Sequence, residues 1–192
     1  DGSAKSVRTA VVAALGALKG SNVKQAVLWL GAQSDVQPAA VQAAVVACSD
    51  ATYAYVTTKS KPTPSKLQRV TLAVPNPQGA RPAFEKAIAL VKGMELAKEW
   101  ANRPANHATP IMLANAAKEL GKLPRMKVEV LGPKEGEKLG MGAFMAGAQG
   151  TAEPLRFIVL RYDGAAKAEP PWVLVGKGVT VDPGGGSLEP AA

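Results

Sequence analysis

The chain is poor in the residues that metal and nucleophile chemistry most often use. Its 192 residues hold one cysteine, Cys48, and one histidine, His107. A disulfide framework and a Cys-rich zinc site are therefore excluded, as is any site built on several histidines. Aromatics make up only 5% of the chain, and Trp29, Trp100 and Trp172 are too scattered to form a base-stacking platform. No apolar run approaches the roughly 18 residues a membrane helix needs. The N-terminus shows no charged segment, apolar core and cleavage site in succession, so the expected location is cytoplasmic, with no membrane partner.

What is present is a globular composition. Hydrophobic residues account for 47%, and 23 Lys plus Arg stand against 15 Asp plus Glu for a net charge of +8. At about 150 residues per domain the length suits one domain or two small ones. A chain of this size buries roughly 70% of its unfolded surface and needs no covalent or metal staple.

Hydrophobic spacing divides the chain into alternating elements. Val7, Val11, Ala14, Leu15 and Leu18 recur at three and four residue steps, predicting a helix over 3–19 that stops at Gly20. The run KQAVLWL over 24–30 predicts a buried strand, and Pro38 with Val41, Ala44, Val45 and Cys48 predicts a helix over 38–55. Residues 57–65 (TTKSKPTPS) read as an exposed connection, followed by a strand over 67–74 that Pro75, Asn76 and Pro77 close. A long helix over 83–100 has one apolar and one charged face. Beyond Pro110 the pattern predicts a helix over 111–120 and strands over 126–131, 155–162 and 172–176. Strand, helix, strand order is the signature of an α/β protein. The expectation is two α/β units with largely parallel sheets joined by a long helix. Residues 1–80 form the first unit, 81–109 the linking helix and loop, and 110–192 the second unit. No internal repeat is visible.

Charge is uneven. No acidic residue lies between Asp50 and Glu85, whereas Lys59, Lys61, Lys66, Arg69 and Arg81 do. This stretch is either a solvated basic surface or a contact region for the phosphates of nucleic acid. It lacks interleaved aromatics, and no nucleic-acid motif accompanies it. Cys48 lies on an apolar helical stripe and is expected to act as a small buried hydrophobe. Gly140 and Gly142 around Met141 are expected to make a tight turn.

The chemically suggestive segment is 173–190, VLVGKGVTVDPGGGSLEP. A buried strand runs into Gly176-Lys177-Gly178, and Asp182 follows five residues after Lys177. Ligands bind at strand ends in α/β sheets, and flanking glycines let backbone and amine approach a ligand closely. A phosphate loop needs its glycines before the lysine, so that option fails. Two remain: a glycine-rich turn with an incidental lysine, or a metal site using Lys177 and Asp182. A lysine ligates only as the neutral amine, so a bound metal must displace its ammonium proton.

Here the sequence resembles a family. Residues 175–185 (VGKGVTVDPGG) are similar to the metal-binding strand and loop of the leucyl aminopeptidases, cytosolic two-metal aminopeptidases. Residues 102–110 (NRPANHATP), 139–144 (LGMGAF), 147–150 (GAQG) and the strand ending at Tyr162 follow in that family's order. The resemblance is specific from Glu95 to Gly185; residues 1–80 match the latter part of the family's N-terminal domain by arrangement alone.

The resemblance implies a metal-dependent aminopeptidase that releases N-terminal residues, leucine-type, from peptides. It implies two divalent metal ions, Zn²⁺ or Mn²⁺, with Lys177 and Asp182 as two of their ligands. It also implies a homo-oligomer, a hexamer in the family. His107 falls at a position the family does not use for catalysis. A second family lysine, which polarises the scissile carbonyl, falls twelve residues after the first; this chain has Glu189 there. Val181, Pro183 and Gly186 also replace the usual Phe, Ser or Thr, and Ile. A carboxylate beside a developing oxyanion repels it. The family's remaining carboxylate ligands and an assisting arginine lie further along than Ala192, so both ends read as cuts through a larger protein. The chain alone is expected to be inactive or incomplete. The alternatives are a non-catalytic scaffold or assembly module of the same family and, behind it, a basic nucleic-acid-binding domain.

Overall fold

The computed structural model describes residues 2–31 and 36–180 and divides into two compact units, Asp1–Asn102 and Arg103–Ala192. The first unit holds α1 (Ala4–Ala17), β1 (Gln25–Trp29), α2 (Pro38–Thr52), β2 (Arg69–Ala73) and α3 (Pro77–Asn102). The second holds α4 (Pro110–Leu120), β3 (Met126–Leu131), α5 (Pro133–Lys138), α6 (Gly142–Ala146) and β4 (Phe157–Tyr162). The α/β class expected from the alternation is what the structure has.

In the first unit each helix begins and ends for a local reason. Ser3 caps α1 by accepting from the Ser6 amide, and Gly20, at φ +85°, takes the left-handed conformation that turns the chain toward β1. Pro38 opens α2, where a missing N–H costs nothing. The long helix starts at Pro77, six residues ahead of its expected start. Asn76 makes this earlier start stable by accepting from the Gly79 amide at 3.0 Å. Pro82 then falls early in the helix and removes only one ladder bond.

β1 and β2 pair in parallel, Gln25 opposite Arg69 through Trp29 opposite Ala73, with α2 as the crossover. Ala26 and Leu28 of β1 and Val70 and Leu72 of β2 turn to the helical side. There Val11 and Leu15 of α1 meet Ala44 and Ala47 of α2, with Leu28, Val70 and Leu72 beneath them. A second cluster joins Val45 of α2 to Ala87 and Val91 of α3. The small residues let the helices approach closely. The long helix is thus packed into the first unit through α2. The other sheet face carries Val27 and Trp29, each 68% exposed.

In the second unit β3 and β4 pair antiparallel, Met126 opposite Tyr162 through Leu131 opposite Phe157. This differs from the parallel pairing expected there. Residues 133–150, read partly as turn, contain two short helices, α5 and α6. A six-residue helix advances about 9 Å, and a six-residue strand about 20 Å. Neither helix spans the length of β3, and the connection over 132–156 returns the chain antiparallel. α4 lies on the β3 face with Ala114 and Ala117 buried, and Gly121 admits Val128: a Cβ there would sit 3.0 Å from the valine methyl. On the other face Phe144 of α6 meets Phe157 edge-on, ring centres 5.6 Å apart.

The strand expected over 172–176 does not form. Trp172 and Leu174 are 96% exposed and Val175 94%, and the segment joins no ladder among the described residues. An apolar run without polar alternation is the pattern of a strand covered on both faces, and among the described residues neither cover nor a neighbouring strand is in place. Among the described residues no helix is long and apolar enough to cross a membrane.

Candidate metal-binding segment

The segment singled out by sequence is only partly within view. Lys177 is exposed, and a Cβ added at Gly176 or Gly178 would meet nothing within 4 Å. Among the described residues, packing does not require these two glycines. Asp182 and Glu189, the other two residues of the expected site, lie outside the described residues. Among the described residues no group of three His, Cys, Asp or Glu is arranged to hold a metal ion. Lys177 has no described carboxylate within salt-bridge distance.

The loop opening the second unit is well ordered by its own backbone. Ala105–His107 makes one 3₁₀ turn, closed by the His107 amide donating to the Pro104 carbonyl at 2.8 Å. Thr109 then caps α4 by accepting from the Met112 amide. The His107 side chain is exposed in this turn.

The remaining sequence candidates divide by environment. Cys48 is half-buried beside the Val11 and Leu15 cluster, and burial pushes its thiol up to about 11 from 9.0. That holds it as the unreactive thiol. In the basic stretch, Lys66 donates to Asn22 at 2.7 Å and Arg81 pairs with Glu85 at 2.8 Å. The ends of the parallel strands open on a cleft of about 210 Å³ bordered by Pro38, Val74, Asn76 and Gly79, with no ionisable group among the described residues of its wall.

Sequence spacing missed two polar features. Asp50 on α2 accepts from Arg8 of α1 at 3.1 Å and from Lys98 of α3 at 2.6 Å, while the Lys98 ammonium sits 5.1 Å from the Tyr53 ring centre. Partners 42 and 48 residues away leave no periodic signal. The other feature is a groove of about 540 Å³ in the second unit, floored by Val128 and Val130 and edged by Lys118, Lys134 and Arg156.

Comparison with known proteins fixes the lineage. The model of the cytosol aminopeptidase family, catalytic domain, matches residues 95–192. A probable cytosol aminopeptidase of Polaromonas naphthalenivorans is 69% identical over 193 residues, covering 100% of this chain and 38% of that relative. The chain thus spans well under half the length of the curated relatives it matches. The bottromycin maturation enzyme BotP in complex with Mn superposes with a TM-score of 0.71 at 25% identity, over 84% of this chain and 34% of that one. A mutant of tomato leucine aminopeptidase shares the fold, with a TM-score of 0.72 at 24% identity over 81% of this chain and 32% of that one. With its catalytic-domain model fitting more than half of the residues, the chain belongs to the cytosol aminopeptidase family.

Proposed function

We propose that this chain supplies part of a metal-dependent aminopeptidase that releases N-terminal residues, leucine-type, from peptides. The observation that carries this is the family match, which runs through Lys177 and Asp182. In this reading the two residues ligate divalent metal, one through a neutral amine and one through a carboxylate. An N and O donor pair suits Zn²⁺ or Mn²⁺, and the Lys177 amine is not committed to any described carboxylate. It is a partial donor set, with two ligands from this segment. Two bound divalent ions supply an activated water and polarise the scissile carbonyl.

The chain's own residues limit what this segment does alone. Glu189 occupies the position of the family's second lysine. An ionised carboxylate there opposes the charge that develops on the carbonyl oxygen instead of stabilising it. Pro183 removes a backbone donor next to Asp182 and fixes φ at that point. With only two of the ligands drawn from this segment, residues 1–192 alone are inactive or nearly so in this reading, and Glu189 lowers turnover in any context. Peptides are the substrates in this reading, and a homo-oligomer in the cytoplasm is the working form.

The test is hydrolysis of a leucine anilide with added Mn²⁺. The polypeptide that carries these residues in a full-length relative's context turns over, and Lys177→Ala and Asp182→Ala each abolish turnover. Wild-type rates in either variant remove the site assignment. Efficient turnover by residues 1–192 alone removes the claim of inactivity.

Glu189 favours one second reading, a non-catalytic scaffold or assembly module of the same family. It expects normal folding, no metal uptake by calorimetry and no peptidase activity in any context. Metal-dependent hydrolysis dismisses it.

A further inference from the structure

The groove of the second unit has no part in the metal-site proposal. Its apolar floor is Val128 and Val130 of β3, and its edge carries Lys118 of α4, Lys134 of α5 and Arg156 just ahead of β4. Among the described residues the one carboxylate in its wall is Glu135, which accepts from the Gly132 amide at 2.9 Å and lies on the Gly132 side of Arg156.

Arg156 distinguishes this groove from a scatter of surface lysines. It is half-buried, and its Nη1 donates to the Leu155 carbonyl at 2.7 Å and to the Pro154 carbonyl at 3.3 Å. Both bonds are made by the one nitrogen, Nη1, and tether the guanidinium to the backbone. Three of its five N–H donors, on Nε and Nη2, remain. Among the described residues no carboxylate lies within 4 Å of it. A guanidinium held in place has already lost much of the side-chain freedom that binding normally costs, and partial burial strengthens its attraction for an anion. The Nε and Nη2 pair presents two parallel donors, the geometry that a planar two-oxygen acceptor fits.

We propose that this groove binds a small amphiphilic carboxylate, with its alkyl part on Val128 and Val130 and its carboxylate on the Arg156 fork, in the field of Lys118 and Lys134. The apolar floor rejects a fully hydrated anion such as free phosphate, and the basic edge rejects a neutral or cationic amphiphile. The site lies apart from Lys177 in sequence and uses none of the proposed metal ligands, so it stands or falls independently of the peptidase reading.

Calorimetric titration of the polypeptide carrying these residues with hexanoate tests this directly. Hexanol, hexylamine and hexyl phosphate serve as comparison probes. Hexanoate is expected to bind at least about tenfold more tightly than hexanol, with an affinity that falls as salt rises. Hexylammonium is expected not to bind. Arg156→Gln is expected to lower hexanoate affinity about tenfold with an unchanged circular dichroism spectrum, and Arg156→Lys to restore little of it, because an ammonium lacks the fork. The double variant Lys118→Gln, Lys134→Gln, whose side chains make no bond within the protein fold described, is expected to lose about threefold and to flatten the salt dependence. This variant decides the matter if Arg156→Gln fails to fold. Equal binding of hexanoate and hexanol, full affinity in Arg156→Gln, a salt response unchanged in the double variant, or preference for hexyl phosphate over hexanoate each overturns the proposal.

Discussion

Ser49 of α2 donates its hydroxyl to the Glu95 carboxylate of α3 at 2.8 Å, with Ser49 only 7% exposed. It is the one buried polar residue among the described ones, and it joins the two helices of a single unit. Thr57 adds a parallel contact further along α3, donating to Glu99 at 2.6 Å. Ser49→Ala leaves the carboxylate without its buried donor. A hydrogen bond to a charged group contributes about 1.5–3 kcal/mol, and a partly solvated acceptor recovers some of it from water. The expected loss is about 1–2 kcal/mol, read as a lower urea midpoint at unchanged slope. An unchanged midpoint would mean that the contact contributes nothing.

Close approach of α1 and α2 depends on small side chains. Ala44 is 0% exposed and sits against Val11 and Leu15. Two further methyl groups at this point must push α1 away or force poor rotamers. Ala44→Val is expected to cost about 1–3 kcal/mol. A thermal unfolding temperature equal to that of the native chain would show spare room in this layer.

Burial holds the Cys48 thiol at about 11, against 9.0 for a free one. The reactive species is the thiolate. At pH 8.5 its population is about a hundredfold below that of an exposed cysteine, so iodoacetamide labelling is expected to be slow by about that factor and to become fast in urea. The sign of the linkage follows. The folded value is raised, so the neutral thiol favours the folded state fully below 9.0, and this contribution is lost as pH rises toward 11. Rapid labelling of the native chain would contradict the burial.

The Glu135 carboxyl is held below its ordinary 4.5, first by the hydrogen bond from the Gly132 amide. Its folded value is depressed, so its contribution to the start of α5 is present at neutral pH and lost as pH falls through the folded value. An NMR titration of the Glu135 carboxyl is expected to show a midpoint below 4.5, with the Gly132 amide resonance moving in step. A midpoint at or above 4.5, or a Gly132 amide that does not respond, would mean that the cap is not formed.

Glu189 stands where the family resemblance places a carbonyl-polarising lysine. If the peptidase proposal holds, Glu189→Lys replaces a repulsive charge with a stabilising one. A single such donor changes turnover by about a hundredfold or more. The expected outcome, in the polypeptide that also carries the remaining ligands, is a rise in kcat of that order for a leucine anilide. A fall in kcat would give Glu189 a role of its own.

The elements themselves were largely legible in the sequence. Val11, Leu15 and Ala44 fall on the apolar stripes that the spacing marks, and each is buried. Pro38 and Gly20 sit at the helix ends they mark. The earlier start of α3 was not visible, because Pro75 and Pro77 read as breakers until Asn76 is seen to cap. The short helices α5 and α6 were hidden among glycines. Arg156 and Asp50 carried no signal at all, since what matters about them is partners brought together by folding.

Local periodicity, end-capping residues and a run of motif residues are properties of neighbours along the chain. The sequence by itself therefore determined where most helices and strands form, that the class is α/β, and that residues 95–192 follow the cytosol aminopeptidase pattern. The direction of strand pairing, the exposed state of residues 172–176 and the groove around Arg156 were decided only by the tertiary structure. Each depends on whether a distant segment arrives to pair, to cover or to neutralise. That is settled by the length and path of the connections between elements, to which the spacing of apolar residues within any one element is blind.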